Sequence, residues 1–242
     1  MSQELLSGKN CLLTGASGGI GKEIAKLLVE KNCNVILTGK TKNKLEKLND
    51  ELKLINQNNT KIEYFPADIS NIEEVTKLIS FVNNSFPSID ILINCAGIFH
   101  ISSLQNATLE EFENCFNLNI KAPFILSKEF SKNMIKKEWG RIINIGSSSS
   151  YDGFKDTSIY CASKHALLGL SRSMFDELKE FNVRTFCISP GSVKTDMAKV
   201  LTKQDFTTFI DPKEVANMII FAISFDNEMI PEEIRLNRLT KK

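Results

Sequence analysis

The chain has 242 residues, 42% of them hydrophobic, enough to bury roughly 70 to 75% of the surface that the unfolded chain exposes without a disulfide or metal staple. Its 30 Lys plus Arg stand against 29 Asp plus Glu, so no general charge draws it to nucleic acid or to an anionic membrane. Met1 to Leu6 lack a cationic stretch leading into an apolar one, and the longest apolar run, Met218 to Ile223, is far too short to span a bilayer; a cytoplasmic protein is expected, with residues 1–242 forming one domain.

Lys9 to Thr14 reads as a buried strand around Cys11, Leu12 and Leu13, and it runs directly into Thr14-Gly15-Ala16-Ser17-Gly18-Gly19-Ile20-Gly21. Ile20, Ile24, Leu27 and Leu28 then keep a helical period. Strand, Gly-rich turn and helix in that order make a pyrophosphate cradle: glycines let a ligand approach the main chain, and the helix N-terminus aims N–H groups at an anion. A phosphate-binding P-loop would need Gly at 16 and Ser or Thr at 23, where the chain has Ala16 and Glu23. A Gly-rich turn without a ligand is the remaining alternative.

Further strand-like runs fall near 33–38, 61–66, 89–94, 140–146 and 183–188. They alternate with helical ones near 19–31, 42–56, 71–85, 108–138, 157–181 and 212–225, and Glu233 to Leu239 alternates like a last strand. Alternation of this kind requires crossover connections. It predicts an α/β, three-layer doubly wound fold of the Rossmann type, with a mostly or wholly parallel seven-stranded sheet covered on both faces.

Tyr160 and Lys164 lie four residues apart, on one face of the helix expected over 157–181, and Ser147 ends a strand-like segment upstream. An unperturbed Tyr, with a pKa of about 10, is a poor proton carrier at neutral pH. An ammonium roughly 5 Å away at an effective dielectric of about 20 favours phenolate by on the order of 3 kcal/mol, about 2 pKa units. The spacing therefore predicts a tyrosine brought towards working pH. Ser148, Ser149 and Ser150 are expected to be loop hydroxyls serving the backbone. The six cysteines show no Cys-x-x-Cys spacing and read as buried thiols. His100 and His165 support neither a zinc site nor a Ser-His-Asp triad, and no metal is expected.

Taken in order, these segments resemble the short-chain dehydrogenase/reductase family over nearly the whole chain. The matching residues are Thr14-Gly15-x-x-x-Gly19-x-Gly21, Asp68, Asn94-Cys95-Ala96-Gly97, the set Asn119, Ser147, Tyr160 and Lys164, and Pro190-Gly191-x-Val193-x-Thr195. The resemblance implies a ketone or secondary alcohol as substrate. Ser147 would bond the carbonyl, Tyr160 would donate the proton, Lys164 would hold the nicotinamide ribose, and Asn119 would hold a water linking Lys164 to solvent. It further implies dinucleotide contacts from Gly15, Ser17, Gly18, Gly19, Ile20, Gly21, Lys40, Asp68 and Ile69, with Asp68 at the adenine. Asn94, Ala96, Gly97, Tyr160, Lys164, Pro190, Gly191, Val193 and Thr195 would contact the dinucleotide as well. Asp68 also reads as a helix N-terminal residue.

Enzymes selective for NAD carry a carboxylate at the end of the second strand, about 20 residues past the glycines. Here stand Gly39-Lys40-Thr41-Lys42, so a 2′-phosphate is attracted and NADPH is expected rather than NADH. Solvated charges at a helix start are the alternative reading. Ile98, Phe99, Tyr151, Phe154, Ser192 and Met197 are expected to wall a mostly apolar substrate pocket. Lys194, Lys199 and Lys203 form either a landing site for an acidic acyl carrier, which would make the substrate a 3-oxoacyl thioester, or a solvated helix face. A homodimer or homotetramer is the default, although the C-terminus departs from the Gly-rich ending of many relatives. A dinucleotide sensor without chemistry and a structural partner protein are the alternatives from other classes.

Overall fold

The computed structural model describes residues 5–56, 58, 60–202 and 204–239. Strands β1 (Asn10–Thr14), β2 (Asn34–Gly39), β3 (Ile62–Pro66), β4 (Ile91–Asn94), β5 (Gly140–Ile145), β6 (Val183–Pro190) and β7 (Glu233–Leu236) form one sheet in the order β3-β2-β1-β4-β5-β6-β7. Every pairing is parallel. Helices α1 (Gly19–Glu30), α2 (Lys42–Ile55), α3 (Ile72–Ser85), α4 (Leu109–Phe116), α5 (Ala122–Lys136), α6 (Ser158–Leu178) and α7 (Pro212–Ile223) cover it.

Period-two alternation sorts the strand residues onto two faces. Leu13, Leu37, Ile93, Ile143 and Phe186 pack in one buried cluster with Ile24 and Leu28 of α1 and Val215 and Ile219 of α7. Leu12, Ile36, Leu92 and Ile142 pack in the other with Leu78 of α3 and Leu126 and Phe130 of α5. Each fully buried Leu or Ile contributes about 1.5–3 kcal/mol, which is why these strands read as continuous apolar runs. Helix starts follow local chemistry. Asn71 caps α3 by accepting the Glu73 N–H, and Asp211 with Glu214 forms a capping box at the head of α7, where Pro212 takes the first helical position. The expected capping reading of Asp68 is corrected accordingly, because Asn71 does that work.

One long helix, expected over 108–138, is instead two. Residues Asn117–Lys121 form a π-helical turn between α4 and α5, with the Ala122 N–H reaching back to the Asn117 carbonyl. The cause is Pro123, which has no N–H to return to the carbonyl of Asn119 and so breaks the α-helical ladder there.

The carboxyl ends of four strands stop on a row of polar residues in register: Thr38, Thr14, Asn94 and Asn144. Between β1 and β4 the strand order reverses direction, so the loops after these strands diverge and open a crevice.

Candidate active site

Gly15, at the tip of β1, has φ +65°, and a Cβ on it would lie 2.7 Å from the backbone of Ala96. Only glycine combines that angle with that approach. Thr14 locks the same junction, its Oγ1 accepting the N–H groups of Cys95 and Ala96 at 3.0 Å each. A Cβ on Gly21 would come 2.2 Å from the Gly15 carbonyl, and one on Gly19 would meet Thr195 Cγ2 at 2.6 Å. The turns after β1 and β4 are thus packed backbone against backbone, and Thr195 of the turn after β6 packs its side chain on Gly19.

Gly18 occupies the N-cap of α1 without a side-chain cap bond, and the first turn carries no acidic residue. Its leading N–H groups therefore remain for an external anion. With the glycine contacts, this fits the pyrophosphate of a dinucleotide.

At the end of β2, a Cβ on Gly39 would lie 3.3 Å from Ser17 Oγ, so the two residues adjoin. Lys40, 78% exposed, pairs with Asp68 Oδ2 at 2.7 Å. Burial tends to raise the Asp68 carboxyl, but the bonds from Lys40 and Ser70 outweigh it and hold it below the usual range. Ile69 is buried beside it. The Asn94 side chain turns into the sheet, donating to Asn144 Oδ1 at 2.8 Å, and is 2% exposed; its part at the site is to fix the strand end.

Ser147, Tyr160 and Lys164 line one cavity of about 670 Å³ with Ile20, Gly97, Pro190, Gly191, Val193 and Thr195. Ser147 precedes a 3-10 turn (Ser148–Ser150) that holds it from both sides: its Oγ accepts the Ser149 N–H, and its own N–H donates to Ser150 Oγ. Tyr160 and Lys164 come from α6, and Phe99 packs edge-on to the phenol ring at 4.7 Å. Lys164 Nζ donates to the Ile145 carbonyl at 2.7 Å and lies 5.7 Å from the Tyr160 ring centre.

Burial pushes the Tyr160 hydroxyl up to about 12 against the opposing pull of the Ser147 hydroxyl, and burial pulls the Lys164 ammonium below its ordinary value. The spacing argument had the opposite sign for Tyr160. It counted the ammonium and omitted the desolvation of a residue that is 9% exposed.

Asn119 stands one layer behind, in the π turn. Its Oδ1 accepts the Ile98 N–H at 3.0 Å, while its Nδ2 donates to the Ile98 carbonyl at 3.1 Å and to Ser163 Oγ at 3.0 Å. The side chain is thereby spent on the loop after β4, and Pro123, without an N–H, cannot bond the Asn119 main-chain carbonyl.

Of the expected pocket residues, Ile98, Phe99, Phe154, Ser192 and Met197 line the cavity. Tyr151 turns instead towards β7, donating to Glu233 Oε2 at 3.0 Å beneath the Arg235 guanidinium. The lining is mostly apolar, and Lys155 and Arg238, with the neutral Asn237, border it as well. No local pattern marks these three; the last two arrive because the Gly191 N–H bonds the Leu236 carbonyl across the β6–β7 pair.

A model of the family described as short chain dehydrogenase matches residues 9–205, and the chain belongs to that family. It is 35% identical over 228 residues to the 3-oxoacyl-[acyl-carrier-protein] reductase FabG of Rickettsia felis, covering 90% of both chains. An uncharacterized oxidoreductase of Staphylococcus aureus is 30% identical over 236 residues, with 98% of this chain and 97% of the relative covered. Among solved structures, a metagenomic short-chain oxidoreductase in complex with NADP superposes with a TM-score of 0.85 at 27% identity, over 98% of this chain and 99% of that one. The chain is an NAD(P)-dependent oxidoreductase of the short-chain type acting on CH–OH groups, and no described helix is long and apolar enough to cross a membrane.

Proposed function

We propose that the chain, acting as one domain, reduces a ketone to a secondary alcohol with NADPH, with Tyr160 as the proton donor. The observation that carries this reading is that Ser147, Tyr160 and Lys164 meet in one cavity, where burial raises the phenol pKa and favours its protonated form. The dinucleotide supplies the hydride to the carbonyl carbon. Tyr160 Oη passes its proton to the carbonyl oxygen while the Ser147 hydroxyl bonds that oxygen, so the alcohol leaves neutral. Lys164, buried and anchored on Ile145, faces the ring that becomes phenolate and holds the ribose. Asn119 would hold a water linking Lys164 to solvent.

Preference for NADPH rests on Gly39 standing where a carboxylate would repel a 2′-phosphate, and on Lys40, whose exposed pair with Asp68 is worth little and is readily exchanged for a phosphate. The NADP in the metagenomic relative's structure and the name of the Rickettsia relative agree with NADPH and with a 3-oxoacyl thioester as the specific substrate. A carrier landing site would rest on Lys194, which is exposed, and on Lys199, whose exposed pair with Asp196 is as readily exchanged; Lys203 lies outside the described residues.

The test is NADPH oxidation with an acetoacetyl thioester and a simple diketone, run beside Tyr160→Phe. Turnover that drops roughly 10²- to 10⁴-fold in the variant supports the assignment. Turnover indifferent to Tyr160 overturns it.

A further inference from the structure

The cavity that holds Ser147 and Tyr160 has an uneven charge. No Asp or Glu is among its lining residues, whereas Lys155, Lys164 and Arg238 are. The chain as a whole is nearly balanced, at +1, so this excess is local. Lys164 is committed to the Ile145 carbonyl, but the other two cations have no such tie. Among the described residues, Lys155 has no ion-pair partner, and the polar contact of Arg238 is one long bond to Thr208 Oγ1 at 3.4 Å, with the Phe209 ring 5.2 Å from its guanidinium carbon. An arginine has five N–H donors in a rigid fork, so most of this fork is unspent.

Its position is built rather than incidental. The β6–β7 pairing continues to the Gly191 N–H, which holds the Leu236 carbonyl at 2.8 Å and sets Asn237 and Arg238 over the turn after β6. A partly exposed arginine against an aromatic ring, with no carboxylate lining the cavity among the described residues, is the arrangement that receives an anion.

We infer that the carbonyl substrate carries an anionic end group, which Arg238, seconded by Lys155, holds away from the reacting carbon. The inference rests on the ketone-reduction reading above and narrows its substrate class. Carboxylate and phosphate share the chemistry that Arg238 recognises. The first would arrive on a small oxo acid, the second on the phosphopantetheine arm of a thioester.

Two substrate pairs, each differing chiefly in that charge, test the inference with NADPH as reductant: 4-oxopentanoate against its methyl ester, and acetoacetyl phosphopantetheine against acetoacetyl pantetheine. The enzyme is expected to favour the charged member of one pair by roughly tenfold or more in kcat/KM, chiefly through KM. Arg238→Gln should bring that ratio close to one, Arg238→Lys should retain part of it, and Lys155→Gln should lower it less. The dissociation constant of NADPH, read by fluorescence without any substrate, should stay within about twofold in all three variants. The pair that shows the preference identifies the source of the anion.

Equal use of both members in both pairs overturns the inference, as does an Arg238→Gln variant that weakens NADPH or loses charged and uncharged substrates alike. A simple diketone separates the two levels of argument. If it is reduced while no charge preference exists, only the anion site falls; if no carbonyl is reduced, the reductase reading falls with it.

Discussion

Asn119 clamps Ile98 by both ends of its amide, accepting the Ile98 N–H at 3.0 Å and donating to the Ile98 carbonyl at 3.1 Å. The residue before, Gly97, packs closely too, since a Cβ on it would lie 3.3 Å from Asn119 Oδ1. The loop after β4, one wall of the cavity, is therefore registered against the π turn. Asn119→Asp keeps the shape but replaces the donor with a second acceptor, setting oxygen against both the Ile98 carbonyl and Ser163 Oγ. A buried acceptor left unpaired costs about 1–3 kcal/mol. Urea denaturation should show a loss of that size, and kcat should fall by about tenfold or more as the wall shifts. An unchanged stability would mean the clamp contributes nothing.

The layered fold and most of the residues that meet in the site were legible in the sequence, because both follow from local order: strands by apolar runs, helices by period, motifs at strand ends. The π turn was not read, because apolar periodicity continues across Pro123 and hides the break. The sign at Tyr160 was not legible, since desolvation depends on Phe99 and on the cavity wall, far away in sequence. Tyr151 sat in a serine-rich loop beside the pocket, and nothing local told that Glu233 and Arg235 would draw it to the sheet edge. Arg238 enters the cavity only through strand pairing, which one chain's pattern does not specify.

The Tyr160 phenol gives a pH signature for each direction of reaction. Burial raises it to about 12, so from pH 6 to about 9 nearly all of it carries the proton that ketone reduction needs, and kcat for reduction should be flat. Alcohol oxidation needs the phenolate, whose fraction grows about tenfold per pH unit below the pKa, and kcat should rise steeply from about pH 8 to 10. Steady-state rates in both directions over that range check it. A reduction limb that falls near neutrality would place the phenol far lower than its burial implies.

Two glycines with similar backbone angles separate strain from contact. Gly8 has φ +73° with nothing within 4 Å of a Cβ, whereas Gly15 has φ +65° and would drive a Cβ to 2.7 Å from Ala96. Gly8→Ala should cost about 1 kcal/mol of backbone strain and leave dinucleotide affinity alone. Gly15→Ala adds a clash with a chain segment that cannot yield without moving the loop after β4. Dinucleotide binding, followed by fluorescence, should weaken by about tenfold or more in this variant and not in the other.

On the proposed reading, Lys40 and Gly39 would set the cofactor preference. Lys40→Glu places a carboxylate next to the position that would take a 2′-phosphate, and should lower kcat/KM for NADPH by about tenfold or more while leaving that for NADH within about threefold. Global stability should change by under about 1 kcal/mol, because the pair with Asp68 is exposed on the Lys40 side. Equal losses with both cofactors would show a disturbed fold rather than a lost contact with phosphate.

At the opposite end of the sheet, Arg141 and Arg184 face one another in register on β5 and β6, 0% and 5% exposed. Burial lowers the Arg141 guanidinium to about 10 against the opposing effect of Asp226, so it stays charged at neutral pH. The same carboxylate sits 2.6 Å from Arg141 and 3.9 Å from Arg184, and backbone carbonyls, among them those of Gly140, Phe225 and Asn227, accept from other guanidinium donors, while Arg141 Nε is buried without a partner among the described residues. Asp226→Asn leaves two buried cations side by side with their charge uncompensated. Removing one partner of a fully buried pair costs about 3–5 kcal/mol; because Asp226 is 38% exposed, solvent screening reduces this to about 1–3 kcal/mol. For a chain of this size that is a fall in Tm of about 2–10 °C, with kcat nearly unchanged because the cluster lies away from the cavity. Calorimetry beside an activity assay checks both parts, and a variant as stable as the parent would show that the carbonyls alone suffice to hold the two arginines.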